Sequence, residues 1–128
     1  MKKSIFAFLL VLLSFTSHAC EVYFQSEDLC MTISWEKYPR AREKGIMAIG
    51  FTDAKDQQRL VDPKFSPAIV LWMTSMGHGS SPVTLVRTDV GQFRSTDVLF
   101  IMGGPWDIKF QLKDGAKVVE EKVKSVNI

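Results

Sequence analysis

Apolar and polar residues alternate with a period of two over much of the chain, and this pattern predicts β-strands. The clearest case covers residues 106–113, where apolar positions fall on one face and charged or amide positions on the other. The apolar positions are Trp106, Ile108, Phe110 and Leu112. Asp114 and Gly115 follow as a strong hairpin signal, so residues 117–126 are predicted to return as the partner strand.

The other strands are shorter, and turn-forming Pro, Gly and Asp residues separate most of them. They are predicted at residues 31–36, 46–51, 68–73, 83–87, 92–94 and 98–102. Since no long segment has a helical period, the pattern predicts an all-β fold, an immunoglobulin-like antiparallel β-sandwich of about seven strands. Met31 and Met47 are assigned to its core, and Trp35 is expected to be the large central packing residue.

The first residues have the three-part pattern of a secretory signal peptide. Lys2 and Lys3 precede an apolar run of 11 residues, 5–15, which is too short to span a bilayer as a helix. A small residue, Ala19, then marks the expected cleavage site. We therefore expect a signal peptide at residues 1–19, a single domain at residues 20–128, and export to the periplasm.

Charge argues against a nucleic-acid partner. The chain has 16 basic and 14 acidic residues, and removal of Lys2 and Lys3 with the signal peptide leaves 14 of each. A nucleic-acid-binding surface needs a clustered surplus of Lys and Arg. The exported domain is neutral, so no nucleic-acid binding is expected.

The two cysteines, Cys20 and Cys30, allow two interpretations. An even number of cysteines in an exported protein favours a disulfide. Alternatively, Cys20 becomes the new N-terminus and carries a lipid tether, although the preceding residues lack the leucine expected three positions before such a cysteine. The disulfide is the preferred interpretation, and the lipid tether stays open.

Residues 72–79 contain the most distinctive chemistry of the chain. Met73, Met76 and His78 fall within six positions, and His78 is the only histidine after residue 19. Thioether sulfur and imidazole nitrogen suit soft metal ions, copper(I) above all. Thioethers also carry no proton and withstand an oxidising compartment better than thiols do. This window therefore predicts a copper(I) site.

Two further features would complete such a site. A turn at residues 74–75 would bring the two sulfur atoms to one side, and Gly77 would leave the backbone free to direct the imidazole there. Met102 ends another predicted strand. If that strand end lies beside the one that carries Met73, Met102 would be a fourth ligand. Trp72 or Trp106 could then cover the ion, and the pattern does not choose between them.

Simpler interpretations exist for the same residues. Met73 and Met102 could be core residues at strand ends, because methionine is often buried. His78 could be an ordinary surface histidine. Clustering of the residues, rather than any one of them, favours the metal site.

Three short motifs carry a resemblance to a known family. They are Met73-x-x-Met76-x-His78-Gly79, Gly91-x-Phe93 and Phe100-x-Met102-x-Gly104-x-Trp106-x-Ile108. Over residues 68–114 the chain resembles the YtkA-like and FixH-like domains of exported bacterial proteins. The resemblance implies an immunoglobulin-type sandwich, a role in copper handling or in assembly of copper-containing respiratory oxidases, and Met73, Met76, His78 and Met102 as copper ligands. FixH-like proteins usually keep a membrane anchor, so the short apolar run here favours a soluble or lipid-tethered version.

The leading hypothesis is a periplasmic copper(I)-binding protein for copper delivery, buffering or tolerance. Its partners would be the copper ion and a copper-containing membrane oxidase or a copper transport protein. The alternative is a metal-free interaction module of the cell envelope, because methionine-rich surfaces adapt to many partners. An enzyme is not expected, since one histidine and two paired cysteines provide no nucleophile and base in a recognisable motif.

Overall fold

The computed structural model describes residues 20–128, and the signal peptide predicted at residues 1–19 lies outside them. The described residues form nine β-strands and no helix. The strands are β1 (Val22–Phe24), β2 (Leu29–Lys37), β3 (Gly45–Asp53), β4 (Ser66–Met73), β5 (His78–Gly79), β6 (Val86–Asp89), β7 (Gln92–Val98), β8 (Pro105–Asp114) and β9 (Lys117–Asn127). Accordingly, this part of the chain contains no helix able to cross a membrane.

The strands form two antiparallel sheets. One has the order β1-β2-β3-β7-β6, and the other has the order β5-β4-β8-β9. The predicted all-β sandwich is therefore confirmed, with two strands, β1 and β5, that the pattern did not predict. Both are only two or three residues long, too short for alternation to be recognised.

The core lies between the sheets, and the alternation of β8 is confirmed there. All four apolar positions of this strand are at most 2% exposed: Trp106, Ile108, Phe110 and Leu112. From the other sheet, Met31 and Met47 are fully buried, as predicted. At about 25 cal/mol per Å² of apolar surface buried, these inner faces provide the main stabilisation of the fold.

The prediction that Trp35 is the large central packing residue is wrong. Trp35 is only half-buried, and its ring packs against Tyr38 with 5.4 Å between centroids. The register between β2 and β3 shifts just after Trp35, at the end of the strand, so this residue lies at the rim. Trp106 is instead the largest fully buried side chain.

Two predicted strands are also corrected. Residues 98–102 do not form a strand: β7 ends at Val98, and the chain then crosses from one sheet to the other. Phe100 is buried during this crossing, which explains the apolar run. Strand β6 starts at Val86 rather than residue 83, because the amide of Thr84 donates to the Asp97 carboxylate (2.9 Å) instead of joining a ladder.

Cys20 and Cys30 lie at disulfide-bonding distance, with 5.1 Å between their Cα atoms. Cys30 belongs to β2, so the bridge ties the first described residue to the five-stranded sheet. A lipid on Cys20 would need the same sulfur atom, which makes the two modifications mutually exclusive.

Candidate metal centre

The β4–β5 hairpin brings two of the predicted ligands together. Met73 pairs directly with His78 across the hairpin. Residues directly opposite in an antiparallel pair project from the same face. Met73 is 2% exposed and belongs to the core, so the His78 side chain also points towards the interior of the sandwich.

The turn of this hairpin covers residues 74–77 and so includes the turn predicted at residues 74–75. The carbonyl of Met73 accepts hydrogen bonds from the amides of Met76 (3.2 Å) and Gly77 (2.9 Å). Gly77 has a φ of 64°, a left-handed conformation that glycine adopts without strain. This tight turn reverses the chain, and His78 consequently returns beside Met73.

Trp106, and not Trp72, is the aromatic residue on the side of His78. The Trp106 ring meets the imidazole edge-on at 5.8 Å between centroids. Trp72 lies on the other face of β4, where the ammonium group of Lys109 is 5.4 Å from its ring. The sequence did not decide which tryptophan faces His78, and the structure shows that it is Trp106.

The half-buried imidazole of His78 is suited to binding a metal through one nitrogen. Its Nδ1 is 3.0 Å from the carbonyl oxygen of Gly79. When Nδ1 carries the proton it donates to that carbonyl, and the lone pair is then on Nε2. Such a second hydrogen bond commonly orients a metal-ligating histidine.

Met102 comes from the crossing between β7 and β8 and not from a strand end, contrary to the prediction. The indole Nε1 of Trp106 donates to the Met102 carbonyl at 2.9 Å. The Ser80 hydroxyl donates to the Leu99 carbonyl, which ties the crossing to the chain just after β5. Met102 is 38% exposed, so the alternative that it is a core residue is also wrong.

Gly104 places the end of this crossing against Met73. Its φ is 119°, and a Cβ atom here would be 3.3 Å from the terminal methyl carbon of Met73. Two backbone hydrogen bonds with Ile128, of 2.8 and 2.9 Å, hold Gly104 in position. The absence of a side chain at residue 104 therefore allows this close approach.

Met76 is the most exposed of the four predicted ligands, at 59%. It lies in the turn, where it contributes little to the core. The structure therefore pairs Met73 with His78 and links the backbone of Met102 to His78 through Trp106. Met76 lies in the exposed turn between Met73 and His78.

The donor atoms of this group fit a soft metal ion. They are three thioether sulfurs and one imidazole nitrogen, a set that favours copper(I) over harder ions. Within residues 20–128, no group of three or more His, Cys, Asp or Glu side chains could hold a metal.

The sequence did not point to Asp107, which holds the β4–β5 turn from strand β8. Its carboxylate accepts hydrogen bonds from the hydroxyls of Thr74 (3.0 Å) and Ser125 (2.9 Å). These residues line a cavity of about 360 Å³ beside Trp106. The alternation of β8 places Asp107 on the outer face, but only the pairing of β4, β8 and β9 brings the two hydroxyls to it.

Comparisons with family models, curated proteins and solved structures find no match. The resemblance to YtkA-like and FixH-like domains therefore stays a prediction from the motifs.

Proposed function

We propose that this protein binds copper(I) in the periplasm and serves copper delivery, buffering or tolerance. The single observation that supports this most is the pairing of Met73 with His78, with the Met102 segment joined to them through Trp106. Packing alone does not account for the position of Met76, which is exposed in the turn. The ligands proposed are Met73, Met76, His78 and Met102.

The protein would bind copper as an ion to be passed on and not as a cofactor of its own. Met73 and Trp106 provide an apolar inner wall, and Met76 and Met102 provide exposed sulfur atoms through which an ion could enter or leave. Thioethers bind copper(I) without competition from protons, so the methionine part of the site would work at low pH. A copper-containing membrane oxidase or a copper transport protein is the proposed exchange partner.

The direct test is titration of residues 20–128 with copper(I) against a chromogenic competitor, without oxygen. The disulfide must stay oxidised, because free thiolates would bind copper(I) themselves. We expect one equivalent to bind. The double variant Met76→Ala/His78→Ala should lose at least about a hundredfold in affinity, since removing even an outer-shell group costs about 10–100-fold.

Methionine-to-leucine variants separate ligands from core residues, because this change removes sulfur while nearly conserving volume. Met73→Leu and Met102→Leu should weaken copper binding, and Met47→Leu, in the core of the other sheet, should not. Unchanged binding in the Met76→Ala/His78→Ala variant would disprove the site.

A metal-free interaction module is the second candidate, and one observation favours it. Met76, Ile101 and Met102 are 59%, 42% and 38% exposed, and they flank the same hairpin and crossing. Flexible apolar side chains of this kind suit protein contacts. Protein purified from copper-supplemented cells with no bound copper, but with a stoichiometric partner, would support this function instead.

A further inference from the structure

The three tryptophans of the described residues lie in different environments. Trp35 packs against Tyr38 at the rim of the five-stranded sheet. Trp72 faces outward beneath Lys109. Trp106 is 1% exposed and contacts both His78 (5.8 Å) and Phe100 (5.3 Å between ring centroids). Of the three, Trp106 is the one whose ring packs against the imidazole of His78.

Trp106 makes two kinds of contact, one to each part of the candidate metal centre. Its ring packs against the imidazole of His78, on the β4–β5 hairpin. Its Nε1 donates to the carbonyl of Met102, on the crossing, at 2.9 Å. The hairpin and the crossing are separate in sequence, and Trp106 links them in addition to the hydrogen bond from Ser80 to Leu99.

The hydrogen bond matters because Met102 lies outside every strand. A ladder would fix the backbone of a strand residue, whereas the Met102 carbonyl is held by the indole. Phenylalanine at residue 106 would keep an apolar ring in the core but would lack the N–H donor. The Met102 backbone would then lose this restraint.

We propose that Trp106 is the positioning residue of the copper(I) site and that its indole emission reports occupation of the site. The inference rests on the proposed copper(I) binding. Trp106 holds the imidazole of His78 and the backbone of Met102 in a fixed relation, so that their donor atoms meet one ion. It also forms an apolar wall that limits the access of water to that ion.

The main test uses the double variant Trp35→Phe/Trp72→Phe, which keeps Trp106 as the only tryptophan of residues 20–128. Copper(I) is added while indole emission and a chromogenic competitor are followed in the same sample. We expect the Trp106 emission to change in proportion to copper bound and to stop changing at one equivalent. Emission that does not change while copper binds would place the ion away from Trp106 and overturn the inference.

The second test compares Trp106→Phe with Trp72→Phe. We expect Trp106→Phe to weaken copper(I) binding about tenfold, as loss of an orienting group does. Trp72→Phe should bind as the wild type does. Thermal unfolding without copper identifies any variant that is not folded, and if Trp106→Phe is not, the emission of the double variant decides the question.

The outcomes separate this inference from the proposed function. If the wild type binds no copper(I), the proposed function fails. If the wild type binds copper(I) but the Trp106 emission does not change, the inference is wrong and the copper function stands. Wild-type affinity in a folded Trp106→Phe variant would also overturn the inference.

Discussion

The β1–β2 turn, residues 25–28, and the β4–β5 turn, residues 74–77, lie towards opposite ends of the sandwich. Glu120, which holds the first turn, pairs with Leu112 near the far end of β8. Trp106, beneath the second turn, is at the start of β8. The two turns are similar in length, but they are fixed by different means.

A carboxylate holds the β1–β2 turn from a distant strand. Glu120 is 14% exposed, and its two oxygens accept hydrogen bonds from the amides of Gln25 (2.9 Å) and Ser26 (2.8 Å). The disulfide adds a covalent restraint, because it joins Cys30 in β2 of the same hairpin to Cys20 just before β1. Charge-assisted hydrogen bonds of this kind are about twice as strong as neutral ones.

The β4–β5 turn is closed mainly by its own backbone. Among residues 20–128, its one long-range side-chain hydrogen bond runs from Thr74 to Asp107 at 3.0 Å. The Met76 side chain is 59% exposed. The comparison indicates that a distant carboxylate and a disulfide fix the first turn, whereas the second depends mainly on its own backbone and leaves Met76 exposed.

The largest expected effect concerns the disulfide. Its reduction should lower the free energy of unfolding by about 3 kcal/mol, because a loop of 10 residues is released in the unfolded chain. Chemical denaturation with and without reductant measures the change. The double variant Cys20→Ala/Cys30→Ala should not respond to reductant. An intact mass carrying a diacylglycerol would contradict the disulfide.

Glu120→Gln should have the next largest effect, about 1 to 2 kcal/mol, since it weakens charge-assisted hydrogen bonds to two backbone amides. Hydrogen exchange at Ser26 should speed up, while exchange at Gly77 should not. The matched control is Glu121→Gln, at an exposed neighbour that accepts a hydrogen bond from Gln111. Equal losses of stability in the two variants would show that Glu120 does not hold the β1–β2 turn.

The loss of stability caused by Glu120→Gln should also depend on pH. Burial by itself raises the pKa of Glu120, but hydrogen bonds from Ser26 and Gln25 outweigh it and hold the pKa below its ordinary value of 4.5. A lowered pKa in the folded state gives stability that is present above pH 4.5 and is lost as the pH falls through the folded value. The stability difference between wild type and Glu120→Gln should therefore shrink in acid.

The smallest expected effect comes from Thr74→Val, which removes the hydrogen bond to Asp107 while keeping the shape of the side chain. We expect a loss of about 1 kcal/mol or less in stability and faster hydrogen exchange at Gly77. Ser125→Ala removes the other hydrogen bond of Asp107 and should leave the turn unchanged. If both variants affect the turn equally, Asp107 acts through β9 and not through Thr74.

Alternation along the sequence predicted much of the fold, because burial between two sheets imposes a period of two on each strand. The inner face of β8 follows from it, and the Asp114–Gly115 hairpin follows from a local turn signal. The same reasoning failed for residues 98–102. An apolar run looks the same whether it pairs in a sheet or crosses between two sheets.

For the candidate site, the sequence determined the types of donor and the turn at residues 74–75, since these are local properties. Only the tertiary structure decided that His78 returns beside Met73, that Trp106 rather than Trp72 faces the imidazole, and that Met102 comes from a crossing. Those positions depend on strand pairing, on an indole hydrogen bond and on a glycine packed against a distant methyl group. Such contacts join residues that are far apart in the chain, so no local pattern of residues contains them.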